Sequence, residues 1–161
     1  MVLWPVGMAV VIVWYVFRDP AVDYRLVVAG AVLPDLVDGP FGGGRVLHTL
    51  VFSAVLLAVV MLATRHRRQP RRRWLALPIG TFLHLVLDGM WTRTHTFWWP
   101  LFGFSLGGRL PALDHGPAVL VLEELAGLAA LVWLWRRFDL RDPCRRSAFL
   151  RTGRLPRDLV S

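Results

Sequence analysis

The sequence predicts an all-α fold, a small polytopic membrane helix bundle with about four to five transmembrane segments. Of its 161 residues, 55% are hydrophobic and 19% are charged, whereas about 25% of the residues of a soluble globular domain are charged. This composition, with a mean hydropathy of +0.49, excludes a disordered or fibrous chain. Cys144 is the single cysteine, which excludes an internal disulfide and a cysteine-rich zinc motif.

Four segments carry so few charges that each is a candidate membrane-spanning helix. A helix perpendicular to the bilayer needs about 20 residues, with a lower limit of about 17, so all four lie near the minimum length. They are residues 2–17, 46–63, 74–90 and 117–135. A fifth stretch, residues 21–36, is weaker because Asp23 and Arg25 interrupt its start. Its apolar part would need protein neighbours in order to cross a membrane.

All 19 basic residues are arginines, and their distribution predicts the orientation of the helices. Sixteen lie in residues 18–25, 65–73 and 136–157, and the other three are Arg45, Arg93 and Arg109. Cytoplasmic loops of membrane proteins carry an excess of basic residues. The pattern therefore predicts five crossings of a bacterial cytoplasmic (inner) membrane, with the N-terminus outside and the C-terminus inside.

This topology divides the chain into two parts. Residues 1–138 form a transmembrane helical domain with a polar site at its outer face, and residues 139–161 form an Arg-rich, partly disordered cytoplasmic tail. The net charge of +8 is explained by topology and by attraction to anionic lipid headgroups. We expect membrane lipids as partners and no specific nucleic acid, because no recognition fold accompanies the arginines.

Several ionisable side chains fall in the outer half of the predicted bundle. His84 and Asp88 are four residues apart in an apolar helix, so both project from one face. Asp35 and Asp38 lie at the end of one helix and His48 at the start of the next. Ionisable groups within a membrane usually mark function, and imidazole and carboxylate donors suit Zn²⁺, with Mn²⁺ or Fe²⁺ as alternatives. We predict four ligands to a divalent metal ion: Asp35, His48, His84 and Asp88.

Asp38 is predicted to be a further ligand or the general base that holds an attacking water. Each side chain also has a structural alternative. His84 could bond a helix carbonyl, Asp88 could be a wetted helix-end group, and Asp35 could cap a helix or pair with Arg45. Further candidates on the same side of the membrane are His95, Asp114, His115 and Glu123.

Four motifs resemble, in their order, those of the YdjM-like family of membrane-bound metal-dependent hydrolases. They are LPDL at residues 33–36, HT at 48–49, GTFLHLVLD at 80–88 and WWPLF at 98–102. The resemblance covers roughly residues 26–105. It implies an α-helical fold and phosphoester hydrolysis, through a distant similarity to the zinc-dependent phospholipase C and single-strand nuclease superfamily. The chain departs from the family at its middle motif, which has only His48, and at its second acid, which is Asp38 where the family pattern falls on Val37.

The sequence therefore predicts a membrane-embedded metal-dependent hydrolase. Its substrate would be a phosphoester of a lipid or of a lipid-linked molecule, presented at the outer membrane face. Aromatic side chains would hold the outer loop at headgroup depth: Trp91, Phe97, Trp98 and Trp99. The alternative is a non-enzymatic membrane protein, either an accessory to metal or proton transport or a scaffold whose Arg-rich tail binds anionic lipid.

Overall fold

The computed structural model describes residues 1–41, 46–104 and 116–155, and this part of the chain is helical with no strand. The all-α prediction is confirmed. In chain order the α-helices are α1 (Leu3–Phe17), α2 (Tyr24–Asp38), α3 (Leu50–Ala63), α4 (Arg68–Trp74), α5 (Ala76–Leu87), α6 (Thr94–Phe97), α7 (Pro117–Arg137) and α8 (Pro143–Thr152). Short 3₁₀ turns lie at Gly39–Phe41, Val46–His48 and Met90–Thr92.

The parallel helices α2 and α5 form the centre of the bundle. Asp23, which precedes α2, bonds to Arg73, which precedes α5, and Asp35 meets His84 near the far ends of both helices. Between these points the two backbones touch, because a Cβ atom placed on Gly30 would overlap the carbonyl oxygen of Leu77. Small residues allow this close approach, which larger side chains would prevent.

A second parallel pair, α1 and α7, packs beside the first. The carboxylate of Glu124 on α7 accepts hydrogen bonds from the N–H groups of Val2, at 2.9 Å, and Leu3, at 3.1 Å. These N–H groups have no acceptor within the helix, so Glu124 caps the start of α1. Towards the other end the rings of Trp14 and Trp133 pack edge to face, with centroids 5.4 Å apart.

These contacts give the bundle two distinct ends. The site end is where α2 and α5 finish and where α1, α3 and α7 begin, and the arginine end is the opposite one. Along the chain, α1, α2, α3, α5 and α7 therefore alternate in direction. Arg93 follows α5 at the site end, whereas the other fifteen arginines of the described residues lie at the arginine end.

At the arginine end, one buried carboxylate joins three segments of the chain. Asp23 is fully buried and accepts hydrogen bonds from the guanidinium groups of Arg25, at 2.9 and 3.0 Å, and Arg73, at 2.8 Å. Arg25 also donates to the carbonyl oxygens of Leu150 and Arg151 at the end of α8. The start of α2, the start of α5 and the end of α8 are thereby held together.

The Arg-rich tail differs from the partly disordered segment that its composition predicts. Residues 143–152 form the helix α8, which begins with Pro143 behind an Asp142 cap and ends at Gly153. The chain around it contributes Phe138, Leu140 and Leu155 to the hydrophobic core. Bonds to distant residues such as Arg25 stabilise this segment, and no local pattern in the sequence reveals them.

By length and composition, α7 is the described helix that could cross a membrane, with 21 residues and 11% of its apolar window buried. At about 1.5 Å per residue it spans about 31 Å, close to the hydrocarbon thickness of a bilayer. The apolar helices α1 and α3 are shorter, at 15 and 14 residues. Four to five full-length spans are therefore not established by helix length.

The weakest of the five predicted segments is the central one in the structure. Val27 and Ala31 of α2 are fully buried, because α2 packs against both α1 and α5. By contrast α3 buries only Ser53 and Val60 among its described side chains and exposes half of its Val and Leu side chains, Leu62 at 71%.

Replacing Gly30 with alanine is expected to destabilise the fold. The added methyl group would overlap the Leu77 carbonyl and lie 3.0 Å from the Cα of Gly80, so α2 and α5 must move apart. Such overpacking costs about 1–3 kcal/mol, which lowers the Tm of a chain of this size by about 3–10 °C. Gly39→Ala is the matched control, because Gly39 has a right-handed conformation and open space around it. An equal decrease in Tm in Gly30→Ala and Gly39→Ala would contradict the close contact between α2 and α5.

Asp23→Asn is expected to weaken the arginine end in a pH-dependent way. Burial raises the pKa of the Asp23 carboxyl, but the hydrogen bonds and charges of Arg25 and then Arg73 outweigh it and hold the pKa below its ordinary value. The bonded carboxylate therefore stabilises the fold above the unfolded pKa of about 3.9, and this contribution is lost as the pH falls through the lower folded pKa.

Asp23→Asn should lower the free energy of unfolding by about 3 kcal/mol at pH 6. This value is at the lower end of the range for a broken buried ion pair, because both arginines are partly exposed to water. Thermal melts of wild type and variant between pH 6 and pH 2 test this expectation. The difference in Tm should shrink on acidification. A constant difference would show that the Asp23 charge does not stabilise the fold.

Candidate metal centre

Three polar side chains from separate elements meet at the site end of the bundle. Asp35 lies in the last turn of α2, His48 in the 3₁₀ turn before α3 and His84 in the last turn of α5. One donor atom from each lies within 4.8 Å of the other two. The Oδ1 atom of Asp35 is 3.6 Å from the Nε2 atom of His48 and 3.5 Å from that of His84.

Helix packing positions Asp35 and His84, and a helix cap positions His48. The parallel packing of α2 on α5 brings Asp35 and His84 to the same end of the bundle. His48 is held by its neighbour Thr49, whose hydroxyl donates to the carbonyl of Val46 at 2.7 Å and accepts from the N–H of Phe52 at 3.1 Å. Thr49 thus caps α3 and fixes the turn that carries His48.

Asp38 holds the imidazole of His48 in place. Its Oδ2 atom accepts a hydrogen bond from His48 Nδ1 at 2.8 Å and another from the backbone N–H of Leu47 at 3.0 Å. With its proton on Nδ1, His48 directs the lone pair of Nε2 towards Asp35. This carboxylate–histidine arrangement is the usual second layer of a metal site. The structure therefore places Asp38 behind His48, as a positioning residue, and not within the group of three donors.

The distances in the cluster suit a metal ion better than direct hydrogen bonds. A hydrogen bond would bring the Nε2 atoms to about 2.7–3.2 Å from the carboxylate oxygen, but both are farther away. Four ligands around an ion with bonds of about 2.1 Å are about 3.4 Å apart, which is close to the two distances from Asp35 Oδ1.

The buried nitrogens of the cluster are also short of hydrogen bonds. Within the described part of the chain, Nε2 of His48 and both ring nitrogens of His84 lack a hydrogen-bond partner, although the carbonyl of Ala31 faces the His84 ring. Both imidazoles are almost fully buried, and a buried polar atom left unpaired costs about 1–3 kcal/mol. Coordination of an ion by Nε2 would remove that cost, so the residues fit a metal.

Asp88 lies next to the cluster and outside the group of three donors. It follows the last residue of α5, is 7% exposed, and its Oδ2 has no hydrogen-bond partner among the described residues. Its charge interacts with Asp35, His48 and Glu123. The face of α7 that carries Glu123 therefore turns towards the site, while its neighbour Glu124 caps α1.

The structure excludes some of the other candidates from the cluster. His95 is exposed, and its Nδ1 lies 3.0 Å from the carbonyl oxygen of Phe102. Asp114 and His115 lie outside the described residues, as does Arg45. Phe97, predicted to be an interfacial anchor, is instead 6% exposed and packs in a small core with Leu85 and Met90.

Trp91 and Trp98 are exposed at the site end, as an interfacial role requires.

One contact was missing from the sequence-based prediction. The α-amino group of Met1 lies 3.7 Å from the Oδ2 of Asp35. This contact forms because Glu124 holds the start of α1 beside the site.

No family model, no curated protein and no solved structure matches this chain. The resemblance to the YdjM-like family therefore stays a prediction, and the case for a function depends on the geometry of the cluster.

Asp38→Asn is expected to weaken zinc binding by about 10- to 100-fold, the usual effect of losing a carboxylate that orients a ligating histidine. The amide can present its NH₂ group to Nδ1 and so favour the tautomer that protonates Nε2. Competition with a chromophoric chelator measures the affinity. Asp139→Asn is the matched control, since Asp139 is exposed and asparagine adopts its left-handed conformation readily. Unchanged affinity in Asp38→Asn would contradict the positioning role.

Proposed function

We propose that the protein is a membrane-embedded hydrolase that uses a divalent metal ion, Zn²⁺ first among the alternatives, to cleave a phosphoester of a lipid-like substrate. The observation that carries this proposal is the convergence of Asp35, His48 and His84 at ligand spacing, with Asp38 anchoring one imidazole. Catalytic zinc sites characteristically have three protein ligands and keep a further position for water or substrate.

Two features support placing the helix bundle in a membrane as a multi-pass protein. The five long helices alternate in direction between the two ends. The exposed faces of α3 and α7 are rich in Val and Leu, with Trp133 and Trp135 on α7, and a soluble monomer rarely exposes so much apolar surface.

The segregation of the arginines to one end of the bundle supports an orientation in the membrane. By the positive-inside rule the arginine end faces the cytoplasm, the N-terminus lies outside, and the metal cluster is at the outer face.

An apolar groove supports a lipid-like substrate. It has a volume of about 490 Å³ and lies between α1, α3 and α5, with Leu50, Leu57, Phe82 and Leu83 among its lining residues. Leu50 is two residues after His48, and Leu83 directly precedes His84, so the groove reaches the elements that carry the cluster. Its size is within the range of small-molecule sites, and its lining suits a hydrocarbon chain.

In this proposal the bound metal supplies a water of lowered pKa and polarises the phosphoester. His48 and His84 would hold the ion through Nε2, and Asp35 would hold it through Oδ1. Asp88, which is buried next to the cluster with an Oδ2 unpaired among the described residues, would be the fourth ligand or the base that accepts the proton of the attacking water. Asp38 keeps His48 in the required tautomer. The bundle around the cluster limits the access of bulk water to the site.

Zn²⁺ is expected to raise the Tm of the wild type, because an ion that binds only the folded state stabilises it by mass action. His84→Ala and Asp88→Ala should lose most of that increase. With short-chain phosphatidic acid as substrate, wild type should release inorganic phosphate only with metal; with short-chain phosphatidylglycerol it should release glycerol phosphate only with metal. Both variants should be at least about 100-fold slower, since a ligand contributes more than the residues that orient it.

His95→Ala is the matched control, because it removes an exposed histidine at the same end of the bundle without touching the cluster. The metal-induced rise in Tm should fade below about pH 6, where protons compete for imidazole. If wild type, both variants and the control respond alike to metal and to chelator, the metal site is wrong. If metal binds and no phosphoester is cleaved, the non-enzymatic alternative becomes the better account.

The predicted orientation has a native reporter in Cys144, which is exposed at the arginine end. A membrane-impermeant thiol reagent should label Cys144 only after the membrane is opened. A Cys144→Ser variant with a new cysteine in place of Thr92, at the site end, should be labelled in intact cells. The reversed pattern would place the metal cluster on the cytoplasmic side.

A further inference from the structure

Two adjoining cavities lie where α7 ends, on the side of the molecule away from the metal cluster. The first, of about 310 Å³, has an apolar wall from α7 and a basic rim. The second, of about 480 Å³, is polar. The apolar wall consists of Leu131, Val132 and Trp135, and both cavities share the side chains of Arg136 and Arg141.

Neither of the two shared arginines forms an ion pair within the described part of the chain. Among the described residues no carboxylate lies within bonding distance of Arg136 or Arg141, whereas Asp139, the acid that lines the polar cavity, lies 3.8 Å from Arg145. The adjacent Arg137 is directed elsewhere, over the ring of Trp14. The cavities therefore offer two unneutralised guanidinium groups directly beside an apolar surface.

This combination matches one class of ligand. We infer that the two cavities bind a single anionic phospholipid, with its phosphate between Arg136 and Arg141 and an acyl chain along Leu131, Val132 and Trp135. A guanidinium group binds a phosphate through two parallel hydrogen bonds. The site lies in the last turn of α7, the described helix that is long enough to cross a bilayer, so the apolar wall meets hydrocarbon and the arginines meet headgroups.

The site is independent of the proposed hydrolase activity. Its ligand lies at the arginine end, whereas the metal cluster and the substrate of the proposed reaction lie at the opposite end. A free phosphate ion shares the chemistry of the headgroup, but it makes no use of the apolar wall. Lipid and phosphate can therefore be distinguished by experiment.

The test uses the purified full-length chain in a zwitterionic detergent. It is titrated with short-chain phosphatidylglycerol, phosphatidylcholine of the same chain length, or inorganic phosphate, and binding is followed by the rise in Tm. Phosphatidylglycerol should stabilise the wild type, and the other two ligands should have little effect. R136Q/R141Q should bind phosphatidylglycerol about 30-fold more weakly, which is about 2 kcal/mol at 1.4 kcal/mol per factor of ten.

The matched control is R146Q/R154Q, which removes two exposed arginines from the same end and outside both cavities. It should bind phosphatidylglycerol like the wild type. Melts without lipid report whether each variant folds. If R136Q/R141Q does not fold, Arg136→Gln and Arg141→Gln are tested separately, and each should bind phosphatidylglycerol about fivefold more weakly than the wild type. If both double variants lose the same affinity for phosphatidylglycerol, the lipid is attracted by the overall charge of this end and not by a specific site. If inorganic phosphate alone raises the Tm, the cavities are a simple anion site. Either result would overturn the proposal.

Discussion

The backbones of α2 and α5 touch at Gly30 and Gly80, and the rest of the molecule depends on that contact. Because the two helices run parallel, both of their starts lie at one end and both of their finishes at the other. The starts bring Asp23 to Arg73, and the finishes bring Asp35 to His84. One close packing contact thus creates a basic, ion-paired end and a second end at which imidazole and carboxylate groups meet.

The two ends satisfy their buried polar groups in different ways. Asp23 is fully buried but is surrounded by guanidinium donors, so its charge is matched within the protein. At the opposite end His48 and His84 are buried, Nε2 of each lacks a hydrogen-bond partner among the described residues, and the carboxylates of Asp35 and Asp38 lie beside them. Burial of unsatisfied polar groups in an apolar bundle is costly. A cation held between Asp35, His48 and His84 would balance that cost, which is why the geometry favours a metal site over a structural cluster.

The sequence was sufficient to predict the all-α fold, the unequal arginine distribution and the group of residues around Asp35, His48 and His84. The spacing of His84 and Asp88 and the alternation of apolar segments carry that information locally. The role of Asp38 could not be predicted in this way, because its bond to His48 depends on how the turn between α2 and α3 folds. The importance of α2 was underrated because Asp23 and Arg25 lower its hydropathy, although both lie at its start, in a polar network. The helix α8 has local signals at both ends, with Asp142 and Pro143 at its start and Gly153 after it; what could not be predicted is its anchoring by Arg25, a residue more than a hundred positions away.

X-ray absorption at the zinc edge of the purified, zinc-loaded protein tests the central claim most directly. The account predicts one ion per chain with nitrogen and oxygen ligands at about 2.0–2.2 Å. The multiple scattering should fit two imidazoles and no sulfur, with one imidazole lost in His48→Ala and one in His84→Ala. A spectrum without imidazole scattering, or one that both substitutions leave unchanged, would contradict the account and return the cluster to a purely structural role.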